Sequence, residues 1–292
     1  MVYRSRPKED NMLTESIMLI EGRDDAYIDV YARNQFAGKK RPAMLVIPGG
    51  AYSGVCSDRE GEPIAMLYLA EGYNCFVLHY PCFPNCVSKG GESLPLITAS
   101  RAVAYIKKNA ERYSVDPDRI AAIGFSAGGH LAASLATMWN DEKIQSEAEV
   151  TGEDNRISAA ILSYAVISSN PSISHIGSFV NLLTSDGSTP SAEKTERYSL
   201  ENRVSKSTPP CFIWHTSGDT CAPVENSIVF AGALSKVGVP FELHIYPNGY
   251  HGFASCKSDE FDKPRTGEIK HAESWVSASV KWLAECCGFD KD

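Results

Sequence analysis

One serine of this 292-residue chain stands where a serine can become a nucleophile. Gly124-Phe125-Ser126-Ala127-Gly128 has the form G-x-S-x-G. Taken alone, that pattern recurs by chance in about one chain in ten of this length. Its surroundings carry more weight. Ile120-Ala121-Ala122-Ile123 reads as a strand running into the motif, and His130-Leu131-Ala132-Ala133 as a helix leaving it. A serine on such a strand–turn–helix bend is strained and exposed. Glycines at 124 and 128 would remove side chains where strand and helix approach closely. The helix N-terminus and the Ala127 amide would favour negative charge beside the serine. The bland alternative is a glycine-rich turn with an inert serine.

A serine hydroxyl is a weak nucleophile at neutral pH, so a histidine must take its proton and a carboxylate must orient that histidine. Where a strand–turn–helix serine is catalytic, the chain order is serine, carboxylate, histidine. Seven histidines are available. His79 and His215 fall at strand ends, His244 within a strand, and His130 on the helix just behind Ser126. His175 lies in an irregular stretch and His271 on the last helix. His251 differs, because it sits in the loop Pro247-Asn248-Gly249-Tyr250-His251-Gly252 after a strand. Asp219, in Ser217-Gly218-Asp219, follows the preceding strand at the same sheet edge. Its rival Glu225 comes just after Pro223 and reads as an acid at a helix N-terminus. The developing oxyanion needs backbone donors, and these are expected from Ala127, Gly50 and Ala51, the last two in the turn Pro48–Tyr52. Tyr52 and Tyr80 are candidates for lining the substrate pocket. This chemistry requires no metal and no organic cofactor.

The elements that must position these residues alternate along the chain. Short, partly alternating stretches at Ile17–Ile20 and Ala26–Tyr31 suggest an antiparallel edge pair. Ala43–Ile47, Cys75–Leu78, Arg119–Phe125, Ile157–Leu162, Cys211–Trp214 and Phe241–Tyr246 read as strands. Helices are expected over Glu62–Glu71, Leu96–Arg112, Ala127–Met138, Ile228–Val237 and His271–Glu285. Such alternation implies an α/β fold, a mostly parallel central sheet with helices on both faces. No linker or repeat interrupts it, so residues 1–292 read as a single domain. The stretch from Val166 to Pro210, rich in Ser, Asn, Pro and Gly, is the least regular.

Composition narrows the partners. The chain is 43% hydrophobic and 22% charged, with a net charge of −8. The absence of a long basic run argues against nucleic acid or an anionic membrane. No apolar run reaches the ~20 residues of a membrane span, and no signal peptide is evident. Nine scattered cysteines, an odd number, suit free thiols in a cytoplasmic protein. Cys82 and Cys86 lack a second Cys/His pair at zinc spacing.

Together the segments VIPGGAYSGVCSDREGEPIA, FVLHYP, GFSAGGHLAASLA, HTSGDTCAPVENS and PNGYHGF resemble the small bacterial acetyl esterase and lipase-like branch of the α/β-hydrolases, including acetyl xylan esterase-like proteins. The likeness covers nearly the whole chain. Two departures stand out: Pro48 and Ala51 replace the first His and last Gly of the usual His-Gly-Gly-Gly oxyanion motif. No long lid insertion or separate lid domain is evident. The resemblance implies a serine carboxylesterase acting through an acyl-enzyme on a small-molecule ester. Its substrates would carry short acyl groups, acetyl foremost, and include O-acetylated sugars or xylo-oligosaccharides. The alternatives are a peptidase of the same fold and a non-catalytic ligand-binding homologue.

Overall fold

The apolar runs become the middle of an eight-stranded sheet. This computed structural model describes residues 12–34, 39–256 and 270–289. The strands are β1 (Met12–Met18), β2 (Tyr27–Arg33), β3 (Arg41–Ile47), β4 (Asn74–His79), β5 (Val115–Phe125), β6 (Ala159–Ser163), β7 (Cys211–Thr216) and β8 (Phe241–Tyr246). Their spatial order is β1-β2-β4-β3-β5-β6-β7-β8. β1 and β2 run antiparallel at one edge as expected, although β1 begins at Met12 and ends at Met18, not over Ile17–Ile20, and β2 meets β4 antiparallel. Every other neighbouring pair is parallel.

Helices cover both faces: α1 (Ser57–Glu60), α2 (Glu62–Ala70), α3 (Leu94–Lys108), α4 (Ala127–Met138), α5 (Glu142–Ala148), α6 (Ile176–Leu183), α7 (Ala192–Arg197), α8 (Glu225–Val237) and α9 (Ser274–Cys287). The two-residue period of β3 shows why two layers are needed. Ala43, Leu45 and Ile47 join a core with Leu96, Leu131 and Phe230 of α3, α4 and α8. Met44 and Val46 face the other way, into a core with Tyr68 of α2 and Trp275 and Trp282 of α9.

The differences from the sequence reading lie mostly in short elements. The stretch 166–210 is not unstructured. It holds α6, α7 and a 3₁₀ turn at Leu200–Asn202. Phe179, Leu182 and Leu183 bury one side of α6, and the Ser191 side chain caps α7 by accepting from the Lys194 amide. α3 starts two residues early because Ser93 caps it, its hydroxyl oxygen accepting from the Leu96 amide. It ends at Lys108, four residues short of the expected Arg112. Glu225 does open α8, in its first turn. None of the nine cysteines is in a disulfide. Among the described residues no helix is long and apolar enough to cross a membrane.

Candidate active site

Ser126 sits between the end of β5 and the start of α4 with φ 53° and ψ −119°. That conformation is costly for any residue with a Cβ, by roughly 1–3 kcal/mol. Neighbouring backbone over-determines it: the Ser126 amide donates to Ser163 O at 3.0 Å, and Ser126 O accepts from the His130 and Val166 amides. The flanking glycines are steric requirements. A Cβ on Gly124 would lie 2.1 Å from Gly128 O, and one on Gly128 would lie 2.2 Å from Ile47 O and 2.3 Å from Pro48 O. Gly128→Ala should therefore destabilise the fold by about 3 kcal/mol, measured as a urea midpoint; an unchanged midpoint would mean the elbow has more room than this packing allows. α4 is buried on every side, which explains its run of Ala and Gly.

Asp219 and His251 lie beyond the carboxyl ends of β7 and β8, at the same sheet edge as Ser126. Asp219 can only accept, so His251 Nδ1 donates to its Oδ2 at 2.6 Å, leaving Nε2 to accept from the Ser126 hydroxyl at 2.7 Å. The Asp219 carboxylate is buried and fully engaged. Its Oδ1 takes the Cys221 and Ala222 amides at 2.9 and 3.0 Å. Its Oδ2 also shares the His215 Nε2–H, at 3.2 Å, with Ala222 O, which lies closer at 2.9 Å. Burial alone would raise this carboxyl, but hydrogen bonds from His215 and His251 outweigh it and hold the group well below the usual carboxylate range.

The turn expected to hold the oxyanion lies against Ser126. A Cβ on Gly49 would stand 3.0 Å from Ser126 Cβ. The Gly49 amide is itself occupied, donating to Glu60 Oε2 at 2.7 Å. Gly50 has φ 128° and Ala51 φ 54°, so the chain reverses sharply here. Among the described residues the Gly50, Ala51 and Ala127 amides have no backbone acceptor. Asn181 of α6 fixes the turn from outside, donating to Ala51 O at 2.9 Å.

Tyr52 and Tyr80 occupy a different place from the expected pocket wall. Both are 1% exposed, and both hydroxyls are spent inside. The Tyr52 hydroxyl donates to His130 Nδ1 at 2.8 Å, and Tyr80 donates to Pro48 O at 2.7 Å. They support the turn from beneath, because a large aromatic on this short segment gains more from the core than from the rim. His130 is a buried neighbour of the site, its pKa pushed down to about 4 by burial. His215 is the penultimate residue of β7, at the strand end as expected, and is fully buried. Sequence reasoning passed over three groups: His215 as a second donor to Asp219, the buried Glu60, and Tyr164. The HTSGD spacing, with Asp219 four positions after His215, was the one signal available for the first.

Known proteins share this arrangement of chain and fold. The BD-FAE family matches residues 28–234, and the dienelactone hydrolase family matches residues 191–286. Endo-1,4-beta-xylanase B of Butyrivibrio fibrisolvens is 42% identical over 222 residues, which are 76% of this chain and 34% of that protein. Acetylxylan esterase of Xylanibacter ruminicola is 31% identical over 213 residues, 72% of this chain and 41% of that protein. The chain thus spans well under half the length of these two relatives. The crystal structure of an acetyl ester-xyloside bifunctional hydrolase from Caldicellulosiruptor lactoaceticus matches with TM-score 0.77 and 34% identity, covering 94% of this chain and 97% of that one. A match over residues 28–234 takes in β2 to α8 and, with them, both the elbow and the turn beside it, so the chain belongs to the BD-FAE family and has the α/β-hydrolase fold.

Proposed function

We propose that this protein is a serine carboxylesterase that removes short acyl groups, acetyl foremost, from O-acylated sugars such as xylo-oligosaccharides. The observation that carries the reading is the unbroken run of hydrogen bonds from Ser126 through His251 to Asp219. The names of the relatives support the ester bond as the target, and those of the acetylxylan esterase and the acetyl ester-xyloside hydrolase point towards acetylated sugars.

In this mechanism the Ser126 hydroxyl attacks the ester carbonyl as His251 Nε2 takes its proton. The Gly50, Ala51 and Ala127 amides receive the oxyanion, each worth ~10²–10³ in rate when such a donor is lost. His251 then gives its proton to the departing alcohol oxygen. Water enters and delivers its proton to the same nitrogen as its oxygen attacks the acyl carbon; the acid then leaves as His251 returns that proton to Ser126 Oγ. Asp219 stays ionised throughout and balances the imidazolium.

The test compares p-nitrophenyl acetate, butyrate and octanoate turnover, with fluorophosphonate labelling mapped by mass spectrometry. A label on Ser126 and fastest turnover of acetate are the expected results. A folded protein that takes no label and turns over none of the esters would replace this reading with a ligand-binding one.

A further inference from the structure

Glu60 has no part in the mechanism above, yet it is 2% exposed and lies at the heart of the site. It is the last residue of α1, where the chain kinks at Gly61 into α2. Its side chain points under the oxyanion turn. Oε2 accepts from the Gly49 amide at 2.7 Å, and Oε1 accepts from the Tyr164 hydroxyl at 2.8 Å. Gly49 is held from its other side too, its carbonyl accepting from the Cys56 amide at 3.0 Å. The Tyr164 oxygen in turn accepts from the Ala254 amide at 3.1 Å, on the loop that carries His251. The Tyr164 ring meets the His251 ring edge-on, with centroids 5.1 Å apart.

The hydrogen-bond donors around Glu60 favour its ionised form. The Gly49 N–H can only donate, and the Tyr164 oxygen already accepts from Ala254, so its own hydrogen goes to Glu60. Both carboxyl oxygens are therefore acceptors, as in the ionised form. Burial works against that charge and raises the carboxyl; the Gly49 and Tyr164 donors, Arg59 and His251 act in its favour. A carboxylate held at such expense needs a reason.

We propose that Glu60 is a positioning residue of the reaction. Its two oxygens fasten the oxyanion turn and, through Tyr164, the His251 loop to one another, and its charge supports the imidazolium alongside Asp219. This rests on the serine-esterase reading above. Glu60 and Tyr164, 104 residues apart in the chain, bridge the turn to the loop, and the distance between oxyanion donors and base depends on that contact. Misplacement by an ångström is enough to lower the rate ~10²-fold.

Glu60→Gln keeps the shape and removes the charge; Tyr164→Phe keeps the charge and removes the link. The titratable groups facing Glu60 are Tyr164, Tyr80, Cys56, Arg59 and His251, and His251 is also faced by Asp219 and His175. Each variant should lower kcat on p-nitrophenyl acetate by roughly tenfold with KM within about twofold, as expected for a contact that matters in the transition state. In Glu60→Gln the acid limb of the pH–kcat/KM profile should also move to lower pH, because the imidazolium loses a favourable charge. In Tyr164→Phe that limb should stay. A Glu60→Gln enzyme that is slower with an unmoved acid limb would reduce Glu60 to packing and overturn the proposal. Wild-type kcat in Tyr164→Phe would overturn the link. Ser126→Ala serves as the control: if it stays active, the esterase reading itself fails, whereas a dead Ser126→Ala beside a fully active Glu60→Gln sinks the positioning role alone.

Discussion

Ser126→Ala is expected to lower kcat on p-nitrophenyl acetate by on the order of 10⁶-fold, the scale seen when a hydrolase loses its nucleophile. What survives should come from the amides of Gly50, Ala51 and Ala127, which can still polarise a bound ester for attack by water. The fold should persist, since alanine fills the same space and Ser126 holds its conformation through its backbone: N–H to Ser163 O, and O from the His130 and Val166 amides. Alanine inherits the unfavourable φ of 53°, so its melting temperature should stay near that of the wild type. Ser126→Gly should melt higher, because glycine adopts positive φ without the steric penalty. The pair of variants separates chemistry from strain: both inactive, one stabilised. Activity of either variant within tenfold of wild type would assign the nucleophile elsewhere.

Asp219→Asn should lower kcat by ~10⁴-fold with little change in KM, and the structure explains which way the new amide must face. Two backbone N–H groups, of Cys221 and Ala222, bind Oδ1. The carbonyl oxygen of the asparagine must stay there to accept them. Its NH₂ is then forced into the Oδ2 position, against His251 Nδ1 and His215 Nε2. His251 can accept that hydrogen only by moving its own proton to Nε2, where Ser126 needs a lone pair. Any loss of stability should be small, because the buried His215 N–H keeps Ala222 O as its acceptor at 2.9 Å. In the wild type the Asp219 carboxyl is held below its ordinary value, so its donors stabilise the fold above the unfolded carboxylate's ~3.9 and cease to do so only in stronger acid. Measurement of kcat, KM and thermal melting across pH checks each point. A mutant that retained a tenth of wild-type kcat would show that another group orients His251.

The parts of this protein legible in its sequence are those set by one or two local constraints. Buried parallel strands must be continuous apolar runs, so β3 and β4 stood out. The elbow needs glycine at 124 and 128 for space alone, which makes Ser126 readable without any partner. Asp219 and His251 follow from chain order and from loops placed after strands. Glu60 could not be found that way. An acid three residues into a Ser-Asp-Arg-Glu stretch looks like a solvated helix residue, and its acceptor role depends on Tyr164, which a distant strand delivers. Tyr52 and Tyr80 failed in the opposite direction: residue type suggested a pocket wall, but tertiary packing turned both inward. α6 and α7 were missed because helices of eight and six residues give too few turns for periodicity to register against Ser, Pro and Gly.

The way Ser126 and His251 are anchored differs in kind. Ser126 is a joint of the sheet, its amide and carbonyl tied to segments beyond β6 and to α4. The loop after β8 is retained mainly through side chains: Ser217 Oγ donates to Pro247 O, Thr216 Oγ1 donates to Gly249 O, and Tyr164 receives the Ala254 amide. Opening that loop costs these bonds and the packing of Phe253 against Tyr164 and Trp214, whereas displacing Ser126 requires the sheet to come apart. Amide exchange at Ser126 should therefore report global unfolding, while the 247–254 loop opens as a smaller cooperative unit of lower free energy. Mild denaturant would then yield a folded protein in which Ser126 is still in place and His251 has let go.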